Sequence, residues 1–160
     1  PVMDPYAEEH GSYSLEIEKI NQTPAGDELI FRAQSGFNNR YSFPSIVQSA
    51  SGVRLRDMTF LGIGSDEARG LSINFLEQPM QPGKTWKDDN WIAKVKGRER
   101  VTVPAGSFDA WRIEVIGTYG TNYTAVGDYW FAPGHGIVKS SLTVPDWHVE
   151  SVLRTEGPKR

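Results

Sequence analysis

The stretch Val101-Thr-Val-Pro-Ala-Gly-Ser-Phe-Asp-Ala-Trp-Arg-Ile-Glu-Val115 holds two alternating runs around a Pro-Ala-Gly turn. Val101 and Val103 end the first run. Pro104 suits position i+1 of a type I turn because its ring fixes φ, and Gly106 suits i+3, where a positive φ is often needed. From Phe108 the chain returns. Trp111, Ile113 and Val115 then recur at period two, with Arg112 and Glu114 between them. Side chains alternate across a strand, so this pattern predicts a β-hairpin with one buried face. Burial of Trp111, Ile113 and Val115 would contribute roughly 1.5–3 kcal/mol each. No catalytic residue type sits in an obvious place, so the hairpin reads as an element that sets register and carries core.

The same period recurs outward in both directions. Tyr13, Leu15 and Ile17 alternate with Ser14, Glu16 and Glu18, and Thr23 to Asp27 turns the chain. Leu29, Phe31 and Ala33 form the next apolar row. Val53 and Leu55, then Leu71, Ile73 and Phe75, then Trp91, Ala93 and Val95 follow. Later runs cover 128–131, 137–144 and 147–153. One-sided burial is the habit of antiparallel sheets. No window carries an apolar stripe at 3.6-residue spacing; residues 65–70 fit one helical turn or a loop. About nine or ten short strands predict an all-β fold, an antiparallel meander curled into a barrel or half-barrel with little or no helix. No linker or internal repeat divides the chain. It reads as one domain over 1–160, with 1–11 as a loosely ordered arm and 155–160 as a tail.

Composition narrows the function. The 160 residues are 38% hydrophobic and 23% charged, which predicts a folded domain. A net charge of −3 with scattered basic residues argues against nucleic acid. No apolar run approaches the roughly 20 residues of a membrane helix. The sequence has no cysteine, which removes disulfides, thiolate metal sites and a thiol nucleophile. It starts at Pro1, so a trimmed chain is expected, with any export leader or lipidated cysteine upstream.

The opening hairpin together with Tyr129-Trp-Phe-Ala-Pro-Gly-His-Gly-Ile-Val-Lys139 resembles a recurrent pattern of exported bacterial proteins of unknown function. In these families a VPAGxF hairpin precedes a YWxAPGxGxVK strand-turn-strand. A GxxW element often comes before both, and Gly83-Lys-Thr-Trp86 matches it. The resemblance covers about residues 83 to 142. It implies a β-rich envelope protein, periplasmic or lipoprotein, with distant similarity to lipoprotein-carrier half-barrels. It implies no activity. His135 departs from the pattern, which usually has a small apolar residue there.

Candidate chemistry is thin. Gly83-Lys84-Thr85 resembles the end of a phosphate loop, but Gln78 stands where that motif needs glycine. Gly62-Ile-Gly64 lacks a βαβ context. There is no GxSxG elbow. His148-Val-Glu150 lacks the second histidine of HExxH, and His10, His135 and His148 show no metal-ligand spacing. Ser140, His135 and Asp128 can be drawn as a triad, yet only geometry defines one; read structurally, they are a wet-face serine, a turn histidine and a strand-opening aspartate. Asp88-Asp89-Asn90 reads as a solvated turn rather than a calcium loop.

The aromatics carry more weight, at 11% of the chain. Aromatic rings can line an apolar pocket or stack on sugars, and they can equally fill a core. The candidate ligand-binding residues are Trp86, Trp91, Tyr119, Tyr123, Trp130 and His135, with the loop 117–124 as a rim. The sequence therefore predicts a non-enzymatic, exported module, periplasmic or anchored at the outer membrane. It would hold a lipid, glycan or peptide, or assist envelope assembly, with no cofactor, metal, nucleic acid or transmembrane segment. Two other readings stand beside it: a protein-interaction or structural domain without a small ligand, and a small hydrolase using His135.

Overall fold

A computed structural model describes residues 13–35, 40–55, 73–88, 91–119, 123–145 and 147–156. The candidate helical turn at 65–70, Leu71, Gly62-Ile-Gly64, His10 and the N-terminal arm lie outside the described residues. Eleven strands are described, slightly more than the periodicity suggests. They are β1 (Tyr13–Thr23), β2 (Gly26–Ser35), β3 (Arg40–Ser49), β4 (Gly52–Leu55), β5 (Ile73–Glu77), β6 (Thr85–Asp88), β7 (Trp91–Val103), β8 (Gly106–Tyr119), β9 (Tyr123–Ala132), β10 (Gly136–Val144) and β11 (Trp147–Val152). No helix is present among the described residues.

Each strand pairs, antiparallel, with its neighbour in sequence. The meander divides once, into a sheet of order β1-β2-β3-β4-β5 and a sheet of order β11-β10-β9-β8-β7-β6. Neither sheet closes, so the fold is the half-barrel form of the expected meander.

Side-chain bonds stitch the seam between β5 and β6. The Trp86 indole donates to the Asn74 carbonyl (2.7 Å), and the Asn74 N–H donates to the Asp88 carboxylate (3.0 Å). Arg54 reaches the same carboxylate at 3.1 Å.

The opening hairpin forms as read. Val103 faces Gly106 across the Pro104-Ala105 turn, and Gly106 has φ +138°. A second Pro-Ala-Gly turn joins β1 to β2, where Gly26 has φ +133°. There a Cβ would lie 2.3 Å from the Gln48 carbonyl oxygen, so the turn needs glycine for space as well as for φ.

The main core lies between the sheets. Leu55, Ile73, Phe75 and Leu76 of the smaller sheet meet Trp86, Trp91, Ala93, Val95, Ile113, Val115, Ala125, Tyr129 and Leu142 of the larger. The register groups the inner face of the larger sheet into rows. Ala93, Val115, Gly127 and Leu142 form one row; Val95, Ile113, Tyr129 and Ser140 form the next.

A second core occupies the outer face of the same sheet. Val101, Val103, Ala110, Trp130, Ala132 and Val138 are buried together, with Ala105, Phe108 and Leu153 packed against them. Two bulges make this possible. One interrupts β7 between Val95 and Gly97, and one interrupts β10 between Ile137 and Lys139. A bulge adds one residue and reverses the facing of everything after it. Val101 and Val103 therefore face away from Trp91, Ala93 and Val95 although all five are odd-numbered.

The C-terminal segment after β11 closes the second core. Leu153 donates to the Val138 carbonyl (2.9 Å) and accepts from the Ala105 N–H (3.1 Å). It thus straps the opening hairpin's turn to β10.

Candidate functional site

The six residues singled out from the sequence fall in four places. Trp86 and Trp91 belong to the inner core. Trp86 is the seam donor to Asn74. Trp91 is 1% exposed, with its ring 5.9 Å from Phe75. Its indole N–H has no hydrogen-bond partner among the described residues. A buried donor left without an acceptor costs free energy on the order of 1–3 kcal/mol, so this N–H would gain from a ligand or water oxygen.

Trp130 belongs to the outer core. Its indole donates to the Glu99 carboxylate. Two cations lie over its ring, Arg112 at 5.5 Å and Lys139 at 4.9 Å from the centroid. Arg112 also forks onto Asp128 at 3.1 and 3.3 Å, and that hydrogen bond holds its pKa above the ordinary arginine value. The ring and its polar edge thus serve contacts within the outer face of the sheet.

His135 sits in the β9–β10 turn. Its Nδ1 lies 2.5 Å from a Glu156 carboxylate oxygen, and its ring meets Phe108 edge-on at 4.9 Å. His135 thereby joins the C-terminal strap to the opening hairpin. Tyr119 and Tyr123 are register partners at the far end of the β8–β9 hairpin. Their side chains and residues 120–122 of the candidate rim lie outside the described set.

The imagined triad does not assemble. Asp128 pairs in register with Ser141 and points to the outer face, where Arg112 holds it. Ser140 pairs with Tyr129 and is buried on the inner face. His135 has an acid, Glu156, but its other contact is a phenyl ring. A cluster that sequence reading missed lies at His148, whose Nδ1 meets the Thr143 hydroxyl (2.9 Å) and whose Nε2 meets Ser141 (3.4 Å) and Glu150 (3.7 Å). There the acid and the serine share one nitrogen, so the acid cannot orient the ring toward the hydroxyl as a triad requires. Lys84 of the phosphate-loop fragment donates to the carbonyls of Pro79 (3.1 Å) and Glu77 (3.4 Å), which consumes it in the seam. No group of three metal-ligating side chains occurs among the described residues.

The feature that the sequence hides is an apolar row on the inner face of the smaller sheet. Ile73, Leu55, Ile46, Leu29 and Ile20 are register neighbours across all five of its strands. Ile73 and Leu55 are 2% and 0% exposed, Ile46 and Leu29 are partly buried, and Ile20 is 56% exposed. A bulge between Ile17 and Lys19 brings Ile17, 38% exposed, to the same face. The row runs out of the core into solvent at the open edge.

A second exposed row lies on the outer face of the larger sheet. Ile92, Ile116 and Val126 are register neighbours with 46%, 40% and 46% exposure.

No family model matches the chain, and no curated protein matches it. Two solved structures share its fold. One is an exported protein with a YmcC-like fold from Bacteroides fragilis, 16% identical, TM-score 0.63, covering 89% of this chain and 86% of that one. The other is a lipoprotein from Parabacteroides distasonis, 15% identical, TM-score 0.58, with the same coverage. At such identity the likeness establishes the fold alone: this chain has the same all-β architecture.

Proposed function

We propose that this protein is a non-enzymatic cell-envelope module that holds an apolar chain, such as that of a lipid, on its inner face. The carrying observation is the row from Ile73 to Ile20, which continues the core past the point where the larger sheet covers it. Exposed aliphatic surface in continuity with a core is favourable to bury, at roughly 25 cal/mol per Å². The exposed positions are isoleucines, which suits a hydrocarbon chain better than a sugar, because sugars stack on open aromatic faces and Trp86, Trp91 and Trp130 are buried. The fold shared with an exported protein and a lipoprotein supports the envelope location.

Native mass spectrometry of protein purified gently from its own host tests this reading. A co-purifying lipid that leaves on denaturation is the expected result; an apo mass from membrane-containing preparations contradicts it. The outer row Ile92-Ile116-Val126 favours a second reading, docking of an envelope protein on that face. Crosslinking at Ile116 to a defined partner, with the inner face empty, would select it.

A further inference from the structure

The last inner row of the larger sheet ends the core on a charge. Arg98, Trp111, Phe131 and Ile137 are register neighbours across β7 to β10. The three apolar members are partly buried against the main core. Beyond them, the same face turns polar: Arg100 pairs with Asp109 at 3.4 Å, and Thr102 bonds Ser107 at 2.9 Å. The row is therefore a border between apolar floor and polar rim.

Arg98 stands on that border with its guanidinium carbon 5.4 Å from the Trp111 ring centroid. Its partnering differs from that of the other strand arginines whose side chains are described. Arg32 meets Glu18, Arg54 meets Asp88, Arg100 meets Asp109 and Arg112 meets Asp128. Arg98 meets no carboxylate among the described residues. A guanidinium resting on an indole has its plane oriented and its N–H edge open, the arrangement that takes an oxyanion by two parallel hydrogen bonds.

We infer that this row receives the head of an anionic amphiphile. Arg98 binds the carboxylate or phosphate, and Trp111, Phe131 and Ile137 take the first methylenes of the chain. The inference rests on the ligand reading above and adds the charge of the ligand to it. A neutral alcohol of equal chain length would bury the same apolar surface but lose the charge-assisted pair.

Calorimetric titration with decanoate, decyl phosphate and decanol tests this, on the wild type and on Arg98→Gln and Arg100→Gln. Hydrogen bonds to charged groups predict that one or both anions bind about tenfold or more tighter than decanol. Arg98→Gln removes that advantage and leaves decanol unchanged, while Arg100→Gln, whose parent is already paired to Asp109, keeps it. Tighter decyl phosphate assigns a lipid headgroup as the source of the anion; tighter decanoate assigns a free fatty acid. Equal affinities for all three ligands, unaltered by Arg98→Gln, overturn the anionic head and leave the chain-binding reading standing. Absence of binding by any of the three overturns both. Arg98 is exposed, so an unchanged melting temperature verifies that the variant folds.

Discussion

At the scale of single residues, close approach decides more than chemistry. Gly127 lies in the inner row between Val115 and Leu142, and a Cβ there would come 2.1 Å from the Ser141 carbonyl oxygen. That oxygen belongs to the neighbouring strand's backbone, which cannot swing aside as a side chain would. Gly127→Ala is expected to destabilise by at least the roughly 1–3 kcal/mol of an overpacked core, read by urea denaturation. An unchanged midpoint would show that β9 and β10 separate freely at this point. His135 illustrates the converse. It invites a catalytic reading from sequence, yet its partners are Glu156 and Phe108, so its visible work is to fasten the C-terminal strap.

At the scale of elements, the opening hairpin serves two cores because β8 is straight and β7 is bulged. Trp111, Ile113 and Val115 face inward, and Phe108 and Ala110 face outward, by plain alternation along β8. The strap over the outer core makes this testable. Leu153→Ala keeps the backbone bonds and is expected to cost about 1–2 kcal/mol, below the roughly 2–5 of a fully buried leucine. Leu153→Pro also removes the donor to Val138 and should cost more. Neither should alter ligand binding, because the strap lies on the outer face; chemical denaturation and a binding titration on the same samples check both halves. The hairpin, its turn and the strands from Trp91 onward were legible in the sequence, because period two and Pro-Ala-Gly punctuation act locally. Strand β3 was not, because Pro44 argues against a strand. It is tolerated at the irregularity where Ile30 pairs with Pro44. Nor was β6, whose single apolar residue, Trp86, cannot display a period. The division of one sheet into two buried faces was hidden as well, since nothing in the spacing of Val95 and Val101 announces the bulge between them.

At the scale of the whole molecule, the open meander leaves an exposed apolar row on each face among the described residues, and the meanings of the two differ. On the inner face of the smaller sheet, Ile17 and Ile20 extend the core's own row, and on that of the larger sheet Arg98 and Trp111 mark the border between apolar floor and polar rim. On the outer face, Ile92, Ile116 and Val126 stand apart from both cores. This candidate site could be read only in part beforehand. Aromatic residue types drew notice to Trp86 and Trp91, but the exposure of Ile20 depends on the register across five strands, and Arg98's lack of a carboxylate partner among the described residues depends on which side chains the β7 bulge brings beside it. The isoleucines provide a direct test, because they populate both faces. Methyl spectra of isoleucine-labelled protein, titrated with decanoate, should shift the resonances of Ile17, Ile20 and Ile137 and leave those of Ile92 and Ile116 in place. Shifts confined to Ile92 and Ile116, or none at all at saturating ligand, would contradict an inner-face chain site.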